Sequence, residues 1–185
     1  MLIQRHGESE ANARKIFSCK NFDPELTEDG IRQIESTIPF YSSRNISKVI
    51  CSPSIRARQT ADILCKNLNL EYEIDDDLIE VDLGDLEGKS YEPSHRMKIF
   101  HGIISNWVEG DKQLKFVGGE SYFDVKKRIE KLRDLYLQEK DVLLVAHNTL
   151  FAIMMSYERK EDHVSKLFLR RGGHAEYKDD EWIIY

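Results

Sequence analysis

Met1-Leu2-Ile3-Gln4-Arg5-His6-Gly7-Glu8-Ser9-Glu10-Ala11-Asn12 opens with an apolar run, Met1 to Ile3, that reads as a β-strand. The run stops at Arg5-His6-Gly7, and from Glu8 onward the chain reads as the start of a helix. A strand end feeding a helix start exposes unpaired backbone N–H groups, and an arginine and a histidine add to them here. This stretch therefore predicts an anion site with a nucleophile in it. Gly7, having no Cβ, permits a tight turn or a close backbone approach. An isolated Arg-His pair also suits an ordinary surface, so the other strand ends decide the reading.

The same junction recurs twice. Val49-Ile50-Cys51-Ser52 reads as a short buried strand, with Cys51 a small core residue. Pro53 fits the first turn of a helix whose apolar positions are Ile55, Ala57, Ala61, Ile63, Leu64 and Leu68. Arg56 and Arg58 lie in its first turns, where the helix dipole mildly repels Arg56. A cation tolerated there hints at an anion nearby, though a solvated arginine fits as well. Asp141-Val-Leu-Leu-Val-Ala146 is apolar on both faces, as a central strand must be, and it delivers His147. Thr149 is expected to cap the helix beyond.

Between these junctions the spacing predicts further elements. Thr27 caps a helix carrying Ile31, Ile34 and Ile38 that should end near Pro39. Tyr72-Glu73-Ile74 reads as another strand. Four acids from Glu80 to Glu87 form a solvated loop or a cation site, but they lack the EF-hand spacing. Residues 89–117 mix aromatic and basic residues without clear periodicity and read as a partly helical lid. His95 and His101 are not at a helical metal spacing, which leaves them as surface or substrate-edge residues. After Gly118-Gly119-Glu120-Ser121, an amphipathic helix is expected to bury Phe123, Val125, Ile129, Leu132 and Leu135. The tail reads as an edge hairpin turning at Asp179-Asp180.

The 185 residues suit one domain, and 41% hydrophobic with 32% charged residues is an ordinary globular composition. No apolar run spans a membrane, and no signal peptide is evident at the N-terminus; a cytoplasmic location is expected. Cys19, Cys51 and Cys65 form neither a disulfide framework nor a zinc pattern. A net charge of -6 with no Lys/Arg-rich block argues against a nucleic-acid partner, while a local basic pocket remains able to hold a small phosphorylated substrate. Strands alternating with helices imply a three-layer α/β/α sandwich around a mostly parallel sheet. Such sheets bind ligands beyond the carboxyl ends of their strands, where Arg5, His6, Arg56 and His147 all fall.

Arg5-His6-Gly7-Glu8-Ser9 with Asn12, Leu26-Thr27-x-x-Gly30, Ser52-Pro53-x-x-Arg56-Ala57-x-Gln59-Thr60, Leu78-x-Glu80, Gly84-x-x-Glu87-Gly88, Gly119-Glu120-Ser121 and Ala146-His147 together resemble the histidine phosphatase superfamily, the phosphoglycerate mutase-like enzymes. The islands stand in the family's order, to about residue 150. The resemblance implies a phosphoglycerate mutase-like fold over residues 1–185, with 89–117 shaping specificity. It implies His6 as the phosphoryl acceptor, Arg5 and Arg56 as phosphate ligands, His147 as completing the cationic pocket, and Glu80 as the acid that protonates the leaving oxygen. Asn12, Ser18 and Asn148 become phosphate or substrate contacts, and no metal or other cofactor is implied. Cys19, Asn148 and His174 depart from common family residues, which touches substrate contacts more than activity.

The leading expectation is a metal-independent phosphatase acting on a small phosphorylated metabolite through phosphohistidine. A cofactor-dependent phosphoglycerate mutase is the alternative, disfavoured because classical mutases carry a longer middle region than the roughly thirty residues between Gly88 and Gly118. A catalytically idle phospho-ligand-binding protein is the third, disfavoured because the histidine and arginines are present. An exposed C-terminal edge strand permits a monomer or a homodimer.

Overall fold

A computed structural model describes residues 1–159 and 163–185. The strands are β1 (Leu2–Arg5), β2 (Lys48–Cys51), β3 (Tyr72–Ile74), β4 (Val142–Ala146), β5 (His174–Lys178) and β6 (Glu181–Ile184). They form one sheet in the order β3-β2-β4-β1-β5-β6. The first four run parallel, and β5 and β6 are attached antiparallel. β4, apolar and buried along its whole length, sits between β1 and β2, as a strand covered on both faces must. The tail hairpin turns at Asp179 and Asp180, both at positive φ, as expected of a tight two-residue connection.

Helices cover both faces. α2 (Glu28–Glu35), α3 (Ile38–Ser42) and α4 (Ile55–Leu68) pack over Leu2, Val49, Cys51, Leu143 and Val145. α5 (His95–Glu109), α6 (Tyr122–Tyr136) and α7 (Asn148–Met155) pack over Ile3, Ile50 and Leu144. The strand period of two explains the split, since neighbours in one strand send their side chains to opposite layers. A short α1 (Glu10–Ala13) follows β1, held by a capping box between Ser9 and Asn12.

Three local expectations need correction, and one, the partly helical reading of 89–117, gains its bounds. The helix begun at Thr27 ends at Glu35, and Pro39 instead lies in the first turn of α3, where its missing N–H costs nothing. In α6 the buried stripe is Val125, Ile129 and Leu132, while Phe123 and Leu135 are 61% and 50% exposed. Phe123 stands two positions from Val125, hence across the helix from it, and half-buried Tyr136 takes the place expected of Leu135. Residues 89–117, poorly periodic as read, contain the regular helix α5, which buries Phe100, Ile103, Ile104 and Trp107 in the core. The third correction concerns Thr149 and belongs to the site described below.

Register positions that site. Arg5 pairs with Ala146 and Cys51 with Val145, so His6, Ser52 and His147 leave three adjacent strands side by side. The His6 N–H donates to Ala146 O at 3.0 Å and the Ser52 N–H to Val145 O at 2.9 Å, carrying the ladder one step past the strands. Gly7 and Gly30 let the following loops cross: a Cβ on Gly7 would lie 2.4 Å from Gly30 O, and one on Gly30 would lie 2.1 Å from Glu8 O.

His174 is a buried misfit in β5. Neither ring nitrogen has a partner, and the imidazole lies among Phe40 (4.1 Å), Tyr185 (5.3 Å) and Tyr41 (5.5 Å). Burial, then Arg170 and Arg44, push its pKa down to about 4. The unfolded chain therefore takes this proton first, and stability falls as pH drops from about 6.5 toward 4, at about 1.4 kcal/mol per unit. His174→Phe keeps the stacking and removes the titration. Between pH 7 and 5 its unfolding free energy should fall by about 2 kcal/mol less than the parent's in chemical denaturation; equal losses would contradict this account.

Candidate active site

A cavity of about 270 Å³ opens at the carboxyl edge of the sheet. All the residues singled out from the sequence line it except His147, which is fully buried behind it. His6 Nδ1 lies 2.6 Å from Gly7 O. A carbonyl only accepts, so Nδ1 carries the hydrogen and Nε2 keeps its lone pair. Arg56 Nε donates toward that Nε2 at 3.3 Å. Burial, then Arg56 and Arg5, hold His6 well below the ordinary histidine pKa, against the opposing pull of the Gly7 carbonyl.

Arg56 is 1% exposed, and its donors are spread over several partners. NH2 donates to Cys19 O (3.3 Å) and His147 Nδ1 (3.2 Å), while NH1 pairs with Asp23 Oδ1 at 2.5 Å. His147, accepting at Nδ1, donates from Nε2 to Ser52 Oγ at 2.8 Å. Burial and then Arg56 keep it well below the ordinary pKa, so it supports Arg56 as a neutral imidazole and the positive charge resides on the two arginines. Arg5 donates from NH1 to Leu169 O at 2.5 Å, and its buried Nε has no protein partner. Burial lowers its pKa to about 10, which leaves it charged at neutral pH. A positively charged group with an unmet buried donor is a ready ligand for an anionic oxygen.

Glu80 is 8% exposed and fixed by backbone. Oε1 accepts from Val81 N–H (2.9 Å) and Leu150 N–H (3.1 Å), and Oε2 from Thr149 N–H (3.2 Å). This corrects the expectation for Thr149. α7 begins at Asn148, with Thr149 inside it and no side-chain cap from His147, and a glutamate 69 residues upstream satisfies its first N–H groups. Asn12 spends Oδ1 on Ser9 N–H, leaving its amide NH2 to donate, in part to the Tyr91 hydroxyl. Asn148 Oδ1 is buried without a protein partner.

The supporting roles of three residues escaped the sequence reading, although Glu87 stands in one of its motifs. Asp23 pairs with Arg56 and also accepts the Ile55 N–H through Oδ2 at 2.6 Å, so it caps α4 and offsets the dipole that repels Arg56. Glu87 accepts N–H groups of Cys19, Asn21 and Phe22 on Oε1, tying down the loop that carries Asp23. Arg128 grips both oxygens of Glu120 at 2.9 Å and donates to Asp77 O and Ile79 O, fixing the segment that ends at Glu80. The partners of the first two lie 32 to 68 residues away, a separation that no local pattern encodes. Asp23→Ala should lower the unfolding free energy by about 3 kcal/mol, from a lost helix cap and an uncompensated buried charge. An unchanged denaturation midpoint would show that the pair contributes nothing.

Among the described residues, Cys19, Asp82 and Glu87 bring potential metal-donor atoms within 4.8 Å of one another. Their donors are already engaged: Glu87 holds the loop, Asp82 pairs with Lys20 at 2.5 Å, and burial pushes the Cys19 thiol up. The trio reads as a loop anchor. No helix among the described residues is long and apolar enough to cross a membrane.

The profile of the histidine phosphatase superfamily (branch 1) matches residues 1–168. The chain belongs to this superfamily. A bifunctional protein of Mycobacterium tuberculosis is 32% identical over 160 residues, covering 84% of this chain and 43% of the relative. Phosphoserine phosphatase 1 of Hydrogenobacter thermophilus is 30% identical over 151 residues, covering 80% of this chain and 70% of that enzyme. This histidine phosphatase chain thus spans less than half of the mycobacterial relative. The solved structure of a mycobacterial glucosyl-3-phosphoglycerate phosphatase shares the fold, with a TM-score of 0.77 at 22% identity over 100% of this chain and 95% of the other.

Proposed function

We propose that this chain is a phosphatase that hydrolyses a small phosphorylated metabolite in two phosphoryl transfers through His6. The observation that carries the reading is the 2.6 Å contact between His6 Nδ1 and Gly7 O, which orients a neutral imidazole with an unprotonated Nε2 facing Arg56. In the first transfer Nε2 attacks phosphorus while the bond to the ester oxygen breaks, and the leaving oxygen takes a proton from Glu80. In the second, water attacks the phosphohistidine and returns a proton to Glu80, releasing inorganic phosphate. Arg5 and Arg56 neutralise the charge spread over the phosphoryl oxygens. Asn12, Ser18 and Asn148 contact the phosphate or the substrate, and His147 holds Arg56 in place. The phosphatase names of relatives support the same reading.

Rapid quench with a 32P-labelled phosphomonoester tests this, with and without EDTA. The expected result is an acid-labile, base-stable label on the protein and phosphate release unaffected by the chelator. An enzyme that turns over without forming such a label would remove His6 as acceptor. Interconversion of 2- and 3-phosphoglycerate stimulated by the bisphosphate, with little phosphate released, would identify a mutase instead.

A further inference from the structure

We infer that this site prefers phosphate monoesters whose alcohol is uncharged and carries a ring or comparable apolar group, over esters bearing a carboxylate or a second phosphate. The inference rests on the phosphatase reading, with the phosphate at Arg5, His6 and Arg56. Beyond that polar end, the cavity wall is made of Phe17, Tyr91, Met97, Phe100, Phe168 and Leu169, drawn from three separate stretches of chain. Their rings pack on one another: Phe17 lies 4.6 Å from Tyr91 and 5.7 Å from Phe100, and Phe100 stacks on Phe168 at 6.3 Å and 25°. A wall of mutually supported rings is held in place before any ligand arrives, so it accepts an apolar group without first having to order itself.

Charge points the same way. Arg5 and Arg56 are the only arginine or lysine side chains lining the cavity among the described residues, and both belong to the phosphate end. Among the described residues, the exposed imidazole of His101, beside Phe100 (5.3 Å) and Phe168 (6.2 Å), is the sole basic group lining the cavity beyond that end. A carboxylate or second phosphate entering this region would shed water against rings, and the guanidinium nearest to Tyr91 outside the phosphate end, Arg171, is already paired with Glu8 and donates to Asn12 O. A ring would bury apolar surface at no such cost.

The test compares 2-phenylethyl phosphate, glycerol 1-phosphate and 3-phosphoglycerate, all esters of primary alcohols, with p-nitrophenyl phosphate as a general reporter of turnover. The expected kcat/KM for 2-phenylethyl phosphate exceeds that for glycerol 1-phosphate by about tenfold or more, with 3-phosphoglycerate slowest. Phe168→Ala should shrink this ratio chiefly through KM; Met97→Ala, on a different segment, provides the same check should the first variant misfold. Turnover of p-nitrophenyl phosphate without a preference for the phenyl ester overturns the substrate class and leaves the phosphatase reading intact. Failure to turn over any of the four overturns both.

Discussion

His6→Ala should lower turnover of any phosphomonoester by about four orders of magnitude or more, the scale seen when a covalent nucleophile is removed. The side chain replaced is a neutral imidazole whose Nδ1 is fixed on Gly7 O and whose Nε2 faces Arg56. Nothing else in the cavity offers an unprotonated nitrogen in that position, because His147 spends Nδ1 on Arg56 and donates from Nε2 to Ser52. The two arginines remain, so inorganic phosphate should still bind within about tenfold of its parental affinity, as expected when chemistry and anion binding lie on different groups. Thermal melts and phosphate titration of the variant separate these effects. Turnover retained above one tenth of the parent would exclude His6 as the acceptor, and loss of folding would be visible in the melt.

Glu80→Gln should produce a loss that depends on the leaving group. Oε1 of Glu80 already accepts two N–H groups and Oε2 only one, so Oε2 is the oxygen with a lone pair left to hold a proton for the substrate. Glutamine cannot deliver that proton, and its amide NH2 would face the Thr149 N–H donor to donor. The second defect weighs on every substrate alike, whereas the first weighs on poor leaving groups alone. Alkyl phosphates should therefore slow by about 10²–10⁴-fold and p-nitrophenyl phosphate by about tenfold or less. The ratio of the two losses is the informative quantity; equal losses would leave Glu80 a helix-capping residue only.

The layered fold and its parallel centre were legible because β4 is apolar on both faces and because Arg5 ends a strand while Arg56 and His147 each come after one. Local spacing carried that far. It could not carry the supports, since Asp23, Glu87 and Arg128 act on partners far along the chain, and their own neighbourhoods read as ordinary loop and helix surface. The same limit explains Thr149: a cap next to a helix is the local expectation, and the observed one arrives from Glu80 across the fold. α5 was obscured for another reason. Its buried stripe of Phe100, Ile103, Ile104 and Trp107 is interrupted by His101, which looks onto the cavity, so core and cavity requirements overlap on one helix.

The sheet order also constrains how the chain is made. β1 pairs only with β4 and β5, and β2 has only β3 beside it until β4 appears. At translation rates of about 5–20 residues per second, β1 waits roughly 10–30 s on the ribosome with both hydrogen-bonding edges open. Such an edge is an invitation to pair with a neighbouring chain. The nascent chain is thus most prone to aggregate after β1 has emerged and before β4 has, and fragments ending before Val142 should be bound by chaperones or lost to proteases. Because His6 and His147 are brought together by that one late pairing, no shorter intermediate holds a complete site, and the proposed phosphatase activity should emerge only with the paired β1 and β4.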